Sequence, residues 1–315
     1  MVAPVIMFGF NRPDVQELSM KCFANCYGAR ERDLYVFIDG PRNSNDEILS
    51  KQILKMLRSF KETGFQRMKI VMREHNLGCR ENIVQGISEV ISKYGRAIMI
   101  EDDILVSRTF LQFMDEALDT FLTDQRIWCI NGFQKFFFKI PKNYAHDLYY
   151  SFLNCAWGWA TWKDRWNAVD FDMSDWLDFK KDPENLEKLD KACYFLRSML
   201  DAQYSGTLRT WDVQCMYHMV KNGLYAIEPR YQVSKNIGCR PGSEHFANTD
   251  PLMLVQKFYN YLPVCEKAIP FDDRIMKQYR YYAYNPNIVI KALRKLRRLT
   301  ARWWGRPCYE PIDIQ

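Results

Sequence analysis

No stretch of this sequence approaches the roughly 18 consecutive apolar residues of a bilayer-spanning helix, so no transmembrane segment is expected. The opening "MVAPVIMFGFNRPD" lacks a basic leader, and Asn11, Arg12 and Pro13 end its apolar run early, unlike a secretory signal. The ten cysteines contain no CxxC pair, which argues against a zinc ribbon and against a disulfide framework. Cys22 and Cys26 lie four apart on an expected helix, a spacing that suits packing better than a bond. There is no GxGxxG and no GK[ST], so a dinucleotide fold and a P-loop both lose support. Internal repeats and low-complexity segments are lacking too. Together these absences predict a reduced, cytoplasmic protein.

What is present is an ordinary globular composition with two biases. At 315 residues, 48% hydrophobic and 26% charged, the chain can build one large α/β domain or two small ones. Aromatics make up 15%, a surplus that serves either a large core or a surface facing sugars or lipids. The second bias is in the placement of charge. Residues 287–306, "NIVIKALRKLRRLTARWWGR", hold seven cations and no acid, whereas the whole chain is only +6, so the remainder is close to neutral. Val289, Leu293, Leu296, Leu299 and Trp303 recur there at helical spacing, which predicts a basic amphipathic helix. Such a helix suits an anionic membrane surface, and packing against the protein's own body is the plainer alternative. No nucleic-acid-binding motif accompanies the charge, so nucleic acid is not expected as a partner.

Through the first hundred residues, β-branched and aromatic runs at 3–10, 33–39, 67–73 and 96–102 alternate with expected helices at about 14–26, 45–62 and 80–93. Pro13 suits the first turn of its helix. The alternation predicts right-handed βαβ units and a mostly parallel sheet flanked by helices, with ligands gathered at the carboxyl ends of the strands. "FNRPD", "IDGPRN" and "EDD" fall at such ends. After residue 106 the alternation lapses. The pattern there predicts a helix at 107–122, a strand at 126–132 and a charged helical stretch at 174–205. A helix within 210–223, a strand at 224–229 and a loop at 234–245 follow.

The stretch "GRAIMIEDDILVSRTF" (95–110) poses the chemical question. Glu101, Asp102 and Asp103 interrupt an apolar strand, and carboxylates are costly to bury alone. Asp102 and Asp103 are adjacent, so on an extended strand end they point to opposite sides. One would then meet a divalent cation and the other a hydroxyl or a structural partner. Oxygen-only ligation completed by water and phosphate suits Mg2+ or Mn2+. The same acids fit a solvated turn that caps a helix near Ser107 equally well. "CAWGWATW" (155–162) sets three tryptophans around Gly158, which serves either core packing or a sugar-facing platform.

Taken in order, "NRP" near the start, "IDG" ending the second strand and "EDD" ending the fourth resemble the GT-A nucleotide-sugar glycosyltransferases. "NLGCREN" (76–82) is similar to the Asn-x-Gly…Arg-x-Asn pattern of glycosyltransferase family 2. The downstream "WGWATW" and "TWD" are similar to the N-acetylglucosaminyltransferase I type and to bacterial surface-polysaccharide sugar transferases. The resemblance covers roughly residues 4–246. It implies a GT-A, Rossmann-like α/β domain with a nucleotide-sugar-binding half at 1–106 and an acceptor-binding, catalytic half at 107–284. The basic amphipathic tail would occupy 285–315.

The implied activity is that of a metal-dependent, inverting hexosyl- or N-acetylhexosaminyltransferase in polysaccharide biosynthesis. It would move a sugar from a nucleoside diphosphate, UDP favoured, to a hydroxyl of a glycan or lipid-linked glycan at the cytoplasmic membrane's periphery. Two rival readings stand beside it. One is a sugar-nucleotide pyrophosphorylase, whose Gly-rich N-terminal loop is missing here. The other is a non-catalytic glycan or sugar-nucleotide binding protein of the same fold.

Residue by residue, the resemblance places Arg12 at the diphosphate or base, Asp39 as an acceptor for the base, and Arg80 at the border of the nucleotide pocket. Glu101 and Asp102 would face the ribose and sugar, and Asp103 would bind the Mn2+ or Mg2+ that bridges the diphosphate. His245, in "GCRPGSEHF", would return to that metal, although a loop histidine often serves only the surface. Asp212 would be the base for the acceptor hydroxyl, with Thr210 capping its helix. The helix dipole would keep Asp212 ionised and burial by Trp211 would oppose that. An aspartate in a first turn is also an ordinary cap. Trp157, Trp159 and Trp211 would form an acceptor platform. The chain departs from many relatives in having Glu-Asp-Asp where they have Asp-x-Asp.

Overall fold

Four parallel strands open the chain: β1 (Val5–Gly9), β2 (Leu34–Ile38), β3 (Met68–Met72) and β4 (Arg96–Glu101). The helices α1 (Pro13–Ala24), α2 (Ser44–Glu62) and α3 (Gly78–Tyr94) join them. The structure is a computed structural model that describes residues 2–62, 64–65, 67–134, 140–193, 195–238 and 258–283. Alternate side chains of each strand feed two separate cores. Val5, Met7, Ile98 and Ile100 pack with Met20 and Phe23 of α1 and Ile53 and Leu57 of α2. Ile6, Phe8, Ala97 and Met99 pack with Ile83, Ile87 and Val90 of α3 on the other face. Burial on both faces is why β1, β2 and β4 read as nearly unbroken apolar runs, while β3, at the edge of the sheet, exposes Lys69.

The second half extends the same sheet. β5 (Ile104–Val106) follows the acidic turn, and α4 (Phe110–Thr120) leads to β6 (Ile127–Asn131), β7 (Leu148–Ser151) and β8 (Trp159–Trp162). β8 inserts antiparallel between β4 and β6. After α5 (Lys163–Asn167), the expected helical stretch at 174–205 is three short helices: α6 (Trp176–Phe179), α7 (Pro183–Ala192) and α8 (Leu196–Tyr204). Pro183 explains the first break. It cannot continue a helix but starts one well, and Asp182 caps it by accepting the Glu184 N–H at 2.9 Å.

Helix α9 (Asp212–Lys221) then leads to β9 (Tyr225–Pro229), which pairs parallel to β6, while β7 closes the edge antiparallel. The eight-stranded order is β3-β2-β1-β4-β8-β6-β9-β7, a mixed, mostly parallel sheet with helices on both faces. The start of the loop expected at 234–245 is instead β10 (Ser234–Asn236), paired antiparallel with β5. This register sets Asn236 opposite Ile104, the residue after Asp103. α10 (Asp273–Ala283) is the last element described. No helix among the described residues is long and apolar enough to cross a membrane. His245 and the basic tail lie outside the described residues.

Candidate active site

β1 and β4 are neighbours, with Phe8 opposite Glu101, so the residues that follow the two strands meet at the carboxyl edge of the sheet. Asp102 and Asp103 form a tight turn between β4 and β5 and not an extended strand end. The opposed side chains expected of strand neighbours therefore do not occur. Both carboxylates turn to one guanidinium. Arg12 donates Nε to Asp102 Oδ2 at 3.2 Å and Nη2 to Asp102 Oδ1, and its Nη1 lies 3.1 Å from Asp103 Oδ2.

The β10 side completes the enclosure. Asn236 Nδ2 donates to Asp103 Oδ1 at 3.4 Å, and the Ile237 N–H donates to the Asp103 carbonyl at 2.8 Å. A Cβ on Gly238 would stand 2.0 Å from Asp103 Oδ2, so the segment passes this close only as glycine.

The electrostatics are one-sided. Burial, then Asp103, Asp102 and Asp212, raise the Glu101 carboxyl well above the usual range, against a smaller opposing pull from Arg12. Burial also pushes Asp102 up to about 6, with Arg12 opposing and Asp103 adding to the rise. For Arg12, burial disfavours the charge, but Asp102 and Asp103 outweigh it and hold the guanidinium protonated. Glu101 continues the strand face that carries Ala97 and Met99, toward α3 and α9. There Cys79, in the first turn of α3 and exposed as a residue, has its thiol raised by desolvation at the sulfur and then by the charges of Glu101 and Asp212. Neither Cys79 nor Asn236 carries a signal in the sequence that would have singled it out.

Asp212 is the first residue of α9. The N-cap is Trp211 with no side-chain cap, and Thr210 instead donates its hydroxyl to Asp212 Oδ1. The expected Thr210 cap is thus corrected: Trp211 and not Thr210 holds the N-cap position, and the Thr210 hydroxyl donates to the Asp212 carboxylate. Burial raises the Asp212 carboxyl above its ordinary value, while Thr210 and the first backbone N–H groups of α9 oppose the rise. Desolvation prevails over the helix end.

Trp159 and Trp211 do not form the expected acceptor platform. They are 1% and 2% exposed and stack with centroids 5.2 Å apart, and Trp128 stacks on Trp159 at 5.7 Å. Register explains this. Trp159 pairs with Met99 and Asn131, so its side chain enters the core that Met99 also faces. The pillar ends on the residue before Asp212. Of the three tryptophans expected at the platform, Trp157 alone is partly exposed, edge-on to Phe133 at 4.5 Å.

Asp39 fastens β2 to α3. Its Oδ1 accepts the N–H groups of Gly40 and Leu77 at 2.8 Å, and its Oδ2 accepts Gly78 N–H at 2.9 Å and Asn76 Nδ2 at 3.0 Å. Four protein donors occupy the carboxylate expected to meet a base, and the "NLG" segment supplies three of them. Arg80 donates to Glu81 and to the Phe171 carbonyl, both at 2.9 Å. Gln214 of α9 reaches the same carbonyl at 3.5 Å, so Arg80 and Gln214 link α3 to α9.

No family model and no curated protein matches this sequence. Among solved structures it is similar to the mannosyltransferase PcManGT from Pyrobaculum calidifontis in complex with GDP-Man and Mn2+. The identity is 11% over 97% of this chain and 76% of that chain, with a TM-score of 0.47. It is also similar to S. aureus TarS 1-349, at 12% identity over 96% and 79% of the two chains and a TM-score of 0.43. The galactosyltransferase LgtC, in complex with donor and acceptor sugar analogs, is 12% identical over 92% and 99%, with a TM-score of 0.37. Likenesses this distant assign no chemistry, so the side chains must carry it.

The donor set at the acidic turn fits a hard divalent cation. Its donors are carboxylate oxygens, and burial and mutual repulsion leave their charge under-compensated. Among the described residues no group of three His, Cys, Asp or Glu is already arranged around one metal position. Asp102 and Asp103 are turned onto Arg12 instead.

Proposed function

We propose that this protein is a metal-dependent glycosyltransferase that moves a sugar from a nucleoside diphosphate to a hydroxyl of a glycan or lipid-linked glycan, with inversion. The observation that carries this reading is the fork of Arg12 on Asp102 and Asp103 at the carboxyl edge of the sheet, with Glu101 beside it under the charge of both aspartates and of Asp212. One guanidinium against four carboxyl groups leaves that edge short of positive charge. A nucleoside diphosphate would add more negative charge, so its binding there calls for a further cation. Because Asp102 turns to the same guanidinium as Asp103, it leaves the sugar-facing role that the resemblance implies and would hold Mn2+ or Mg2+ together with Asp103, and His245 is a further ligand on sequence grounds alone. When bound, the ion stabilises the charge that grows on the departing diphosphate.

The chain's own groups do the rest. Arg12 pairs with the diphosphate, Glu101 faces the ribose and sugar, and the brace of Asp39 and Asn76 shapes the wall on the base side, with Arg80 at its border. Asp212 accepts the proton of the acceptor hydroxyl as that oxygen bonds to the anomeric carbon. The bond from that carbon to the diphosphate oxygen breaks, and its electron pair stays on the diphosphate. One displacement inverts the carbon. A carboxyl group with raised proton affinity suits a base working near neutral pH. UDP is the favoured nucleotide, Trp157 the sugar-facing ring, and residues 287–306 the contact with an anionic membrane surface that carries a lipid-linked acceptor.

The test is nucleoside diphosphate release from a panel of nucleotide sugars, with and without Mn2+, and with and without acceptor glycans. Release that requires the ion and is stimulated by an acceptor is the expected result. Nucleotide-sugar binding without release under any condition would replace this reading with that of a non-catalytic binding protein.

A further inference from the structure

Arg12 occupies a position at the acidic turn that a simple contact with diphosphate does not explain. Two of its nitrogens meet Asp102 and a third meets Asp103, so one planar fork spans both carboxylates. Asn236 donates to Asp103 Oδ1, and Gly238 passes close to Oδ2, the oxygen that Arg12 also meets. A second cation on Asp103 Oδ2 therefore competes with Arg12 for that oxygen.

The exposures are unequal in a telling way. The Arg12 side chain keeps 34% of its surface in solvent, against 5% for Asp102 and 11% for Asp103. The guanidinium has a way out and the carboxylates do not. Its departure uncovers two buried carboxylates and forfeits charge-assisted hydrogen bonds, so it requires a new cation for the acids and a new anion for the arginine. A divalent ion alone meets the first need, and a nucleoside diphosphate alone meets the second. Only the pair meets both.

We propose that Arg12 is the resident cation of the Asp102–Asp103 turn, displaced jointly when a divalent ion takes the carboxylates and a nucleoside diphosphate takes the guanidinium. The proposal rests on the reading of this edge as a metal and nucleotide-sugar site. It makes the binding of ion and nucleotide cooperative, and it puts that coupling in one side chain.

The experiment is a titration of the full-length protein with Mn2+, with the free ion read by electron paramagnetic resonance and no turnover involved. It is run with no nucleotide and with saturating UDP or GDP, after correction for the ion that each nucleotide binds in solution. The wild type is expected to bind Mn2+ weakly alone and at least about tenfold more tightly with nucleotide, within the usual range of coupling between sites. Arg12→Met keeps the apolar length and removes the charge. It is expected to tighten nucleotide-free Mn2+ binding by about tenfold and to shrink the gain from nucleotide. Arg12→Lys, which loses the fork but keeps the charge, is expected to fall between the two.

A folded Arg12→Met protein that binds Mn2+ no more tightly than the wild type without nucleotide overturns the proposal. If that variant does not fold, unchanged binding by Arg12→Lys does the same. A wild type that binds no Mn2+ even with nucleotide overturns the metal-dependent reading itself, and this proposal with it.

Discussion

Asp212 and Glu101 are both held with carboxyl groups above the usual range, chiefly by burial. A native state that binds a proton more tightly than the unfolded chain is favoured at low pH. The contribution of such a group is complete below its unfolded value of about 4 and is lost as pH rises through the folded value. Asp212→Asn is therefore expected to raise the melting temperature near neutral pH, with the difference closing toward about pH 4. Calorimetric melts over a pH series check this. The same substitution should cut turnover by about 100-fold or more and leave nucleotide affinity nearly intact, as kinetics and titration calorimetry would report. Asp46 has the opposite sign. Hydrogen bonds from Arg42 and Asn11 hold its carboxyl down at about 2, so its contribution is present above the unfolded value and fades as pH falls toward the folded one. Asp46→Asn should destabilise the protein at neutral pH, and by progressively less in melts carried below the ordinary carboxylate range.

At the scale of elements, the stacked tryptophans connect the core to the base. Trp159→Ala is expected to cost about 3–5 kcal/mol in denaturant unfolding, since a fully buried ring is removed from between two others. Trp157→Ala should change stability little and weaken acceptor binding, measurable as a rise in acceptor KM. β1 to β4 and the helices between them were legible in the sequence because each helix carries its own periodic signal and each strand is a run dominated by apolar residues, broken in β3 only by Lys69 at the sheet edge. β5, β7, β8 and β10 were not. Each has three or four residues, too few for a period to register, and each is held by a partner distant in the chain. The turn at Pro183 was readable in principle, as a residue that cannot sit inside a helix. The antiparallel insertion of β8 was not, and it is what buries Trp159.

At the scale of the whole molecule, one continuous sheet carries Arg12, the acidic turn and the end of β6 along a single edge, with α9 bringing Asp212 up beside α3. The basic character of the chain lies elsewhere, in residues 287–306. Removal of 287–315 is expected to abolish co-sedimentation with anionic vesicles at low salt and to leave nucleotide binding unchanged. Salt near 1 M, where the screening length falls to about 3 Å, should mimic the deletion. The sequence by itself determined the alternating strands and helices, the acids at the end of the fourth strand and the aspartate of "TWD". These follow from periodicity and residue chemistry, which neighbours along the chain encode. Only the tertiary structure decided that Arg12 grips both aspartates, that Asp39 is saturated by the start of α3, and that two of three expected platform rings are core. Each depends on strand pairing between distant segments, and partner identity across a sheet is set by the packing of the whole, not by local composition.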